Sequence, residues 1–185
     1  MVGLGNPGER YRRTRHNAGF MAVDLLAARA GAAGRVDGDA WVAEATLGGA
    51  TALLVKPLGF VNASGGPVAR LLAEGSGAVS DLVVLVDDVA LDLGTIRVRE
   101  RGSHGGHNGL RSLVETLGTE EFARVRIGVR RGELPPDLAE YVLADFLPDE
   151  VLAVQEAVGL AADAVLCLLV EGAGAAMNRF NARRS

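Results

Sequence analysis

Residues 1–20 read MVGLGNPGERYRRTRHNAGF, and within them Gly3-Leu4-Gly5-Asn6-Pro7-Gly8 satisfies G-x-G-x-x-G, the fingerprint of a dinucleotide-binding turn. Such a turn needs a helix opening directly after its last glycine, so that the helix amides meet a pyrophosphate. Here Gly8 is followed by Glu9-Arg10-Tyr11-Arg12-Arg13-Thr14-Arg15-His16, which carries no apolar stripe at helical spacing. The apolar face begins only at Phe20, runs through Val23, Ala27 and Ala30 beside Met21 and Leu26, and stops at Gly31. Asp24 stands near the separation expected of a ribose-binding acid but falls inside that helix. The segment therefore predicts a short strand, a turn at Asn6-Pro7-Gly8 and no dinucleotide. The Arg, His and Asn that follow need another explanation.

With 185 residues, 49% of them hydrophobic, the chain is long enough to bury a full core, and residues 1–185 are expected to form one domain. Glycine or charge interrupts every apolar run short of the roughly 18 residues of a membrane span, and no signal-peptide pattern opens the chain. The expectation is a cytoplasmic protein with no membrane partner. The single cysteine, Cys167 in AVLCLLV, has the setting of a core residue and no partner for a disulfide within the chain. His104 and His107 lie three apart in a glycine loop, which is not metal-ligand spacing, and no metal is expected. The net charge of −4 argues against a general nucleic-acid sponge, yet arginines gather at 10–15, 97–101 and 124–131. Three such runs converging in space would make a local polyanion site. Aromatic content of 4% leaves few stacking platforms, so recognition would lean on phosphate and shape.

Period and punctuation outline the elements. Trp41, Ala43, Ala45 and Leu47 alternate, Gly48-Gly49 turns, and ATALLVK follows, which predicts a hairpin. A loop carrying Phe60, Asn62 and Ser64 leads into a short helix ending near Gly75. DLVVLV is a continuous apolar run of strand length, buried on both faces and ending in Asp87-Asp88. Ligands in open α/β sheets collect beyond such strand ends, so these acids are placed for chemistry. In GTIRVRER, Arg97, Arg99 and Arg101 share one face; in FARVRIGVRR, Arg124, Arg126 and Arg130 point outward and Val125, Ile127 and Val129 inward. Between these strands, Asn108 is the expected N-cap of a helix whose stripe is Leu110, Leu113, Val114 and Leu117, closed by Gly118. After Pro135-Pro136, a Tyr141–Phe146 segment of undefined type precedes a long helix from about Pro148 toward Glu171. Together these predict a twisted mixed β-sheet flanked by helices, an α/β fold.

Ester or amide hydrolysis needs an activated nucleophile, a base, a group that orients the base, and donors for the developing oxyanion. No G-x-S-x-G elbow is present, Ser64 has the setting of a local hydrogen-bonding residue, and Cys167 belongs to a core pattern. Water activated by a histidine is the remaining route. His16 has the better claim, because it follows a turn at a strand end, whereas His104 and His107 belong to a glycine loop.

VGLGNPGERYRRTRHNAGF, KPLGFVNASG, LVVLVDD and RGSHGGHNGLRS…FARVRIGV, in this order and spacing, resemble the bacterial peptidyl-tRNA hydrolase family over essentially the whole chain. The pair TRHNAG and GGHNGLRS carries the specificity of that resemblance. It implies hydrolysis of the ester joining a peptide to the 3′-terminal ribose of tRNA, without metal or cofactor, by a monomer. By motif position, the resemblance makes His16 the general base and Asp87 the acid that orients it. Asn6 would read the amide of the blocked aminoacyl group. Asn62 and Asn108 would bind the ester region, the water and the tRNA 3′ end, with Tyr11 and Phe60 lining the groove. Arg99 and Arg126 would clamp the 5′-phosphate of the acceptor stem. The chain departs from the family pattern in GFVN, where Gly59 and Val61 replace a threonine and a methionine, and in DDVALD, where Ala90 replaces an acid. The alternative is a noncatalytic RNA-binding relative of the same fold; His16, Asp87 and the three asparagines favour the enzyme.

Overall fold

The computed structural model describes residues 1–75 and 77–182. Seven strands form one sheet: β1 (Val2–Gly3), β2 (Arg35–Asp37), β3 (Ala40–Leu47), β4 (Ala50–Pro57), β5 (Val83–Asp92), β6 (Ile96–Arg99) and β7 (Ala123–Arg130), in the order β2-β3-β4-β1-β5-β7-β6. β1 pairs parallel with β4 and β5, and β5 pairs parallel with β7, while β2, β3 and β6 add antiparallel at the edges. The helices are α1 (Ala18–Ala30), α2 (Gly65–Glu74), α3 (Asn108–Leu117), α4 (Leu138–Leu143) and α5 (Val151–Phe180). The single-domain α/β architecture with a mixed sheet flanked by helices is thus the one the sequence predicts.

Alternation along the strands splits the core into two layers. Leu85, Val125 and Ile127 pack with α1 and α5 on one face, and Val84, Val86 and Val55 pack with Leu110, Leu113 and Val68 of α3 and α2 on the other. The central strands are covered on both sides, which is why their sequence is continuously apolar.

The opening glycines act in packing. At Gly3 an added Cβ would lie 2.4 Å from the Gly19 carbonyl oxygen, and at Gly19 it would lie 2.3 Å from the Leu85 oxygen and 2.6 Å from that of Leu4. The start of α1 thus rests directly on β1 and β5. Between Gly8 and α1 the chain makes 3-10 turns at Glu9–Tyr11 and Arg15–Asn17, so the helix opens ten residues after Gly8.

Several expectations need correction. β5 does not end in Asp87-Asp88 but continues to Asp92, outrunning β1, so that Asp87 and Asp88 pair only with Ile127 and Gly128 of β7. The N-cap of α3 is His107, whose side chain accepts from the amides of Gly109 and Leu110, and Asn108 is the first helical residue. Arg124 does not point to solvent: it is buried, donating to carbonyls of Gly102, Ser103, Glu120 and Phe122, because the second sheet face is covered there. Arg15 likewise turns inward, with Nη2 2.7 Å from Glu150 and Nη1 2.7 Å from the Asp145 carbonyl, between the rings of Tyr141 and Phe146. The three arginine runs therefore do not form one polyanion surface.

The C-terminal helix also differs. α5 begins at Val151 and continues beyond Glu171, across a break at Gly172 (φ +86°), to Phe180. Among the described residues it is long and apolar enough to cross a membrane by length and composition, with a mean hydropathy of 1.8 over 18 residues, contrary to the reading that no run qualifies. Its apolarity has a use in the fold, since Val154, Ala157, Ala161, Ala164 and Val165 are in the core against the sheet and α1.

The close approach at Gly19 yields a stability prediction. Gly19→Ala lowers the unfolding free energy by about 3 kcal/mol through overpacking, whereas Gly66→Ala in α2, where an added Cβ meets nothing within 4 Å, raises it by about 0.5 kcal/mol through helix propensity. Urea unfolding of the two variants checks both signs.

Candidate active site

Parallel strands β1, β4 and β5 deliver their following residues to one end of the sheet, where open α/β folds place ligands. A cavity of about 460 Å³ lies there, lined by Asn6 after β1, Phe60, Val61 and Asn62 after β4, Asp87 and Asp88 of β5, and His16 from the 3-10 turn before α1. Gly105, Gly106, His107 and Asn108 close one side with Arg126, and Leu138, Ala139, Val142 and Leu143 of α4 form an apolar wall. Seven of the nine residues singled out in the sequence meet in this cavity: Asn6, His16, Phe60, Asn62, Asp87, Asn108 and Arg126. Tyr11 and Arg99 lie outside its lining.

Asp87 is the centre of the arrangement. Its Oδ1 accepts from His16 Nδ1 and from His107 Nε2, each at 2.9 Å, and the two imidazole rings stand 4.8 Å apart. One carboxylate oxygen has lone pairs for both donors. Burial alone would raise the Asp87 pKa, but the attraction and hydrogen bonds of the two histidines outweigh it and hold the carboxyl far below the usual range. For His16 burial acts to lower the pKa; the charge of Asp87 and the hydrogen bond to it prevail, and the net shift is upward.

The two histidines have different freedom. His107 Nδ1 accepts from the amides of Gly109 and Leu110 at 3.1 and 3.3 Å while Nε2 faces Asp87, so its tautomer is set and both ring nitrogens are engaged. Among the described residues His16 has a hydrogen-bond partner only at Nδ1, so Nε2 of this cavity-lining ring keeps its lone pair. The sequence reading missed His107, placing it with His104 in an undifferentiated loop. His104 instead accepts from the Gly106 amide at 3.1 Å and does not reach Asp87. Ligand-type atoms of His16, Asp87 and His107 lie within 4.8 Å of one another, a spacing that would suit a metal ion. Their nitrogens, however, face the same carboxylate oxygen rather than a common point, and the geometry fits two hydrogen bonds.

Asn6 is fixed from both sides. Its amide donates to Asn17 Oδ1 at 2.8 Å, and Asn17 Nδ2 donates back to its carbonyl at 2.9 Å. The Val61 amide donates to Asn6 Oδ1 at 2.9 Å, and the Asn6 NH₂ has no hydrogen-bond partner among the described residues. Asn17, like His107, was not singled out in the sequence; its place in TRHN beside His16 was the only signal.

The basic groups are arranged by the β6–β7 pairing, which is antiparallel and sets Arg97 opposite Arg126 and Arg99 opposite Arg124. Arg99 and Arg126 are thus diagonal neighbours on one sheet face. Arg126 Nε lies 3.1 Å from Asp88 Oδ2, and Arg97 and Arg99 are exposed on the edge strand.

Comparison with known proteins accords with this geometry. A family model described as peptidyl-tRNA hydrolase matches residues 1–185. The chain is 46% identical over 183 residues to a peptidyl-tRNA hydrolase of Chloroflexus aurantiacus, covering 98% of this chain and 97% of that protein. It is 45% identical to one of Symbiobacterium thermophilum with the same coverage. The crystal structure of peptidyl-tRNA hydrolase from Acinetobacter baumannii superposes with a TM-score of 0.90 at 33% identity, over 98% of this chain and 93% of that one. On the whole-chain match and these relatives, the chain belongs to the peptidyl-tRNA hydrolase family, hydrolases that act on the ester bond of peptidyl-tRNA.

Proposed function

We propose that this chain cleaves peptidyl-tRNA with water activated by His16. The observation that carries the reading is that, of the two imidazoles on Asp87, only His16 has a ring nitrogen free toward the cavity. Nε2 takes a proton from water as it attacks the ester carbonyl, and the proton is then given to the departing ribose oxygen. Asp87 holds the ring with Nδ1–H toward it and stabilises the imidazolium formed on the way. Asn62 and Asn108, at the cavity rim, donate to the ester region and the water. Asn6 turns its NH₂ toward the acyl carbonyl of the residue preceding the ester-bearing one, a group that free aminoacyl-tRNA lacks.

The acceptor stem crosses the β6–β7 edge, with Arg99 and Arg126 toward the 5′-phosphate, and Phe60, exposed beside the cavity, meets the 3′ end. Tyr11 supports that groove from outside the cavity lining. No second copy is needed, since one chain supplies every group, and no metal, cofactor or dinucleotide takes part. A substrate drawn from translation places the protein in the cytoplasm.

His16→Ala lowers the rate of peptide release from N-acylated aminoacyl-tRNA by about 10²- to 10⁴-fold and leaves tRNA affinity within a few-fold; turnover near that of the parent protein would overturn the reading. The pH profile supplies a second check. Because Asp87 raises the His16 pKa, and the base acts unprotonated, kcat/KM rises as pH climbs through that raised value. Asp87→Asn removes the attraction while burial remains, so the acidic limb moves to lower pH and the rate falls. Asn6→Asp tests the acyl contact: it keeps an oxygen for the Val61 amide but loses the NH₂ donor, so selectivity for N-acylated over free aminoacyl-tRNA collapses. A uniform loss on both substrates would mark Asn6 as structural only.

A further inference from the structure

A second cavity, of about 480 Å³, adjoins the first and shares Asn6 with it. It lies on the α1 side of the sheet, walled by Pro7 and Gly8 of the turn, Phe20 and Met21 of α1, and Trp41 and Leu58. Trp41 and Lys56 are paired in the β3–β4 register. The Lys56 ammonium stands 4.4 Å from the Trp41 ring centroid and 5.7 Å from that of Phe20, and it pairs with Asp24. The cation is thereby held against two aromatic faces and neutralised within the wall. At the rim Arg12 pairs with Glu9 at 3.4 Å.

We propose that this cavity is a subsite for the peptide, taking the second and third residues counted from the ester in extended conformation, with apolar side chains against Trp41 and Phe20. The inference rests on the reading that the ester lies between Asn6 and His16. Direction supports it: the sheet order sets β4 and β3 on one side of β1 and β5, and β7 and β6 on the other. A substrate whose tRNA leaves toward β6 sends its acyl chain toward β4. Continuity supports it as well, since Asn6, which turns a donor toward the acyl carbonyl, borders both cavities. An extended chain advances about 3.3 Å per residue, so the residues beyond that carbonyl, rather than the ester-bearing one, enter the second cavity. Charge selects the occupant: two cations and two acids balance here, which suits uncharged polypeptide and gives a phosphate chain no net attraction.

Trp41 is the only tryptophan in the chain, and its emission therefore reports this cavity directly. The full-length His16→Ala protein is titrated with N-acetyl-aminoacyl-tRNA and with N-acetyl-tripeptidyl-tRNA ending in the same residue. Both bind, and only the tripeptidyl form shifts Trp41 emission. In the parent enzyme, kcat/KM for the tripeptidyl substrate exceeds that for the aminoacyl one by about tenfold. Met21→Lys abolishes this advantage and leaves cleavage of the shorter substrate unchanged. Identical emission with both ligands, or an undiminished length preference in Met21→Lys, would overturn the subsite. Absence of cleavage of either substrate by the parent protein would instead overturn the catalytic reading and leave the Trp41 signal to decide the subsite.

Discussion

A buried carboxylate is costly unless charge and hydrogen bonds compensate it, and the compensation of Asp87 organises the whole site. Its two donors arrive from distant parts of the chain: His16 from the turn before α1, and His107 from the loop before α3. One oxygen thus ties the central strand β5 to the starts of two helices on opposite faces of the sheet. The same contact separates the histidines by role. His107, capping α3 with its other nitrogen, is committed to structure on both sides, and His16 retains a lone pair.

That contact requires the segment 14–17 to be held closely, and backbone and side chains share the task. The Thr14 backbone forms a bridge with Asp145, the Arg15 side chain reaches Glu150, that of His16 reaches Asp87, and that of Asn17 clasps the backbone of Asn6. The glycines make the clasp possible, because only a missing Cβ at Gly3 and Gly19 lets α1 begin against β1 and β5. A motif that resembles a phosphate-binding turn is here a means of bringing helix and strand together. Arg15, buried with Glu150, also donates to the carbonyls of Ala144 and Asp145 just after α4, so the apolar wall of the cavity is anchored to the segment that holds His16.

The division of the surface follows from the sheet order. Exposed arginines stand on the edge strand β6, whereas the cations near β3 and β4 are paired with acids. A chain of net charge −4 can in this way present a local attraction for phosphate at one end of a groove and a neutral surface at the other.

Elements defined by local period were legible in the sequence: the β3–β4 hairpin with its Gly48-Gly49 turn, the alternation of β7, the stripe and closing glycine of α3, and the start of α1 within two residues. These depend on neighbours a few residues away, and so the amino-acid order by itself determines them. The family motifs likewise marked Asn6, His16, Phe60, Asn62, Asp87, Asn108 and Arg126, residues that the fold gathers in one cavity. Tertiary structure alone decided which histidine joins His16 on Asp87, because His104 and His107 both stand in a glycine-rich loop and only its packing brings His107 to β5. It also decided that Arg15 and Arg124 are internal, since alternation assigns a face to a side chain but cannot tell whether another element covers that face. The antiparallel β6–β7 pairing belongs to the same class, for it depends on strand order rather than on either strand's pattern. A hydrogen bond between residues 71 positions apart has no local signature: periodicity describes how a segment meets solvent, and only the packed sheet determines what it meets instead.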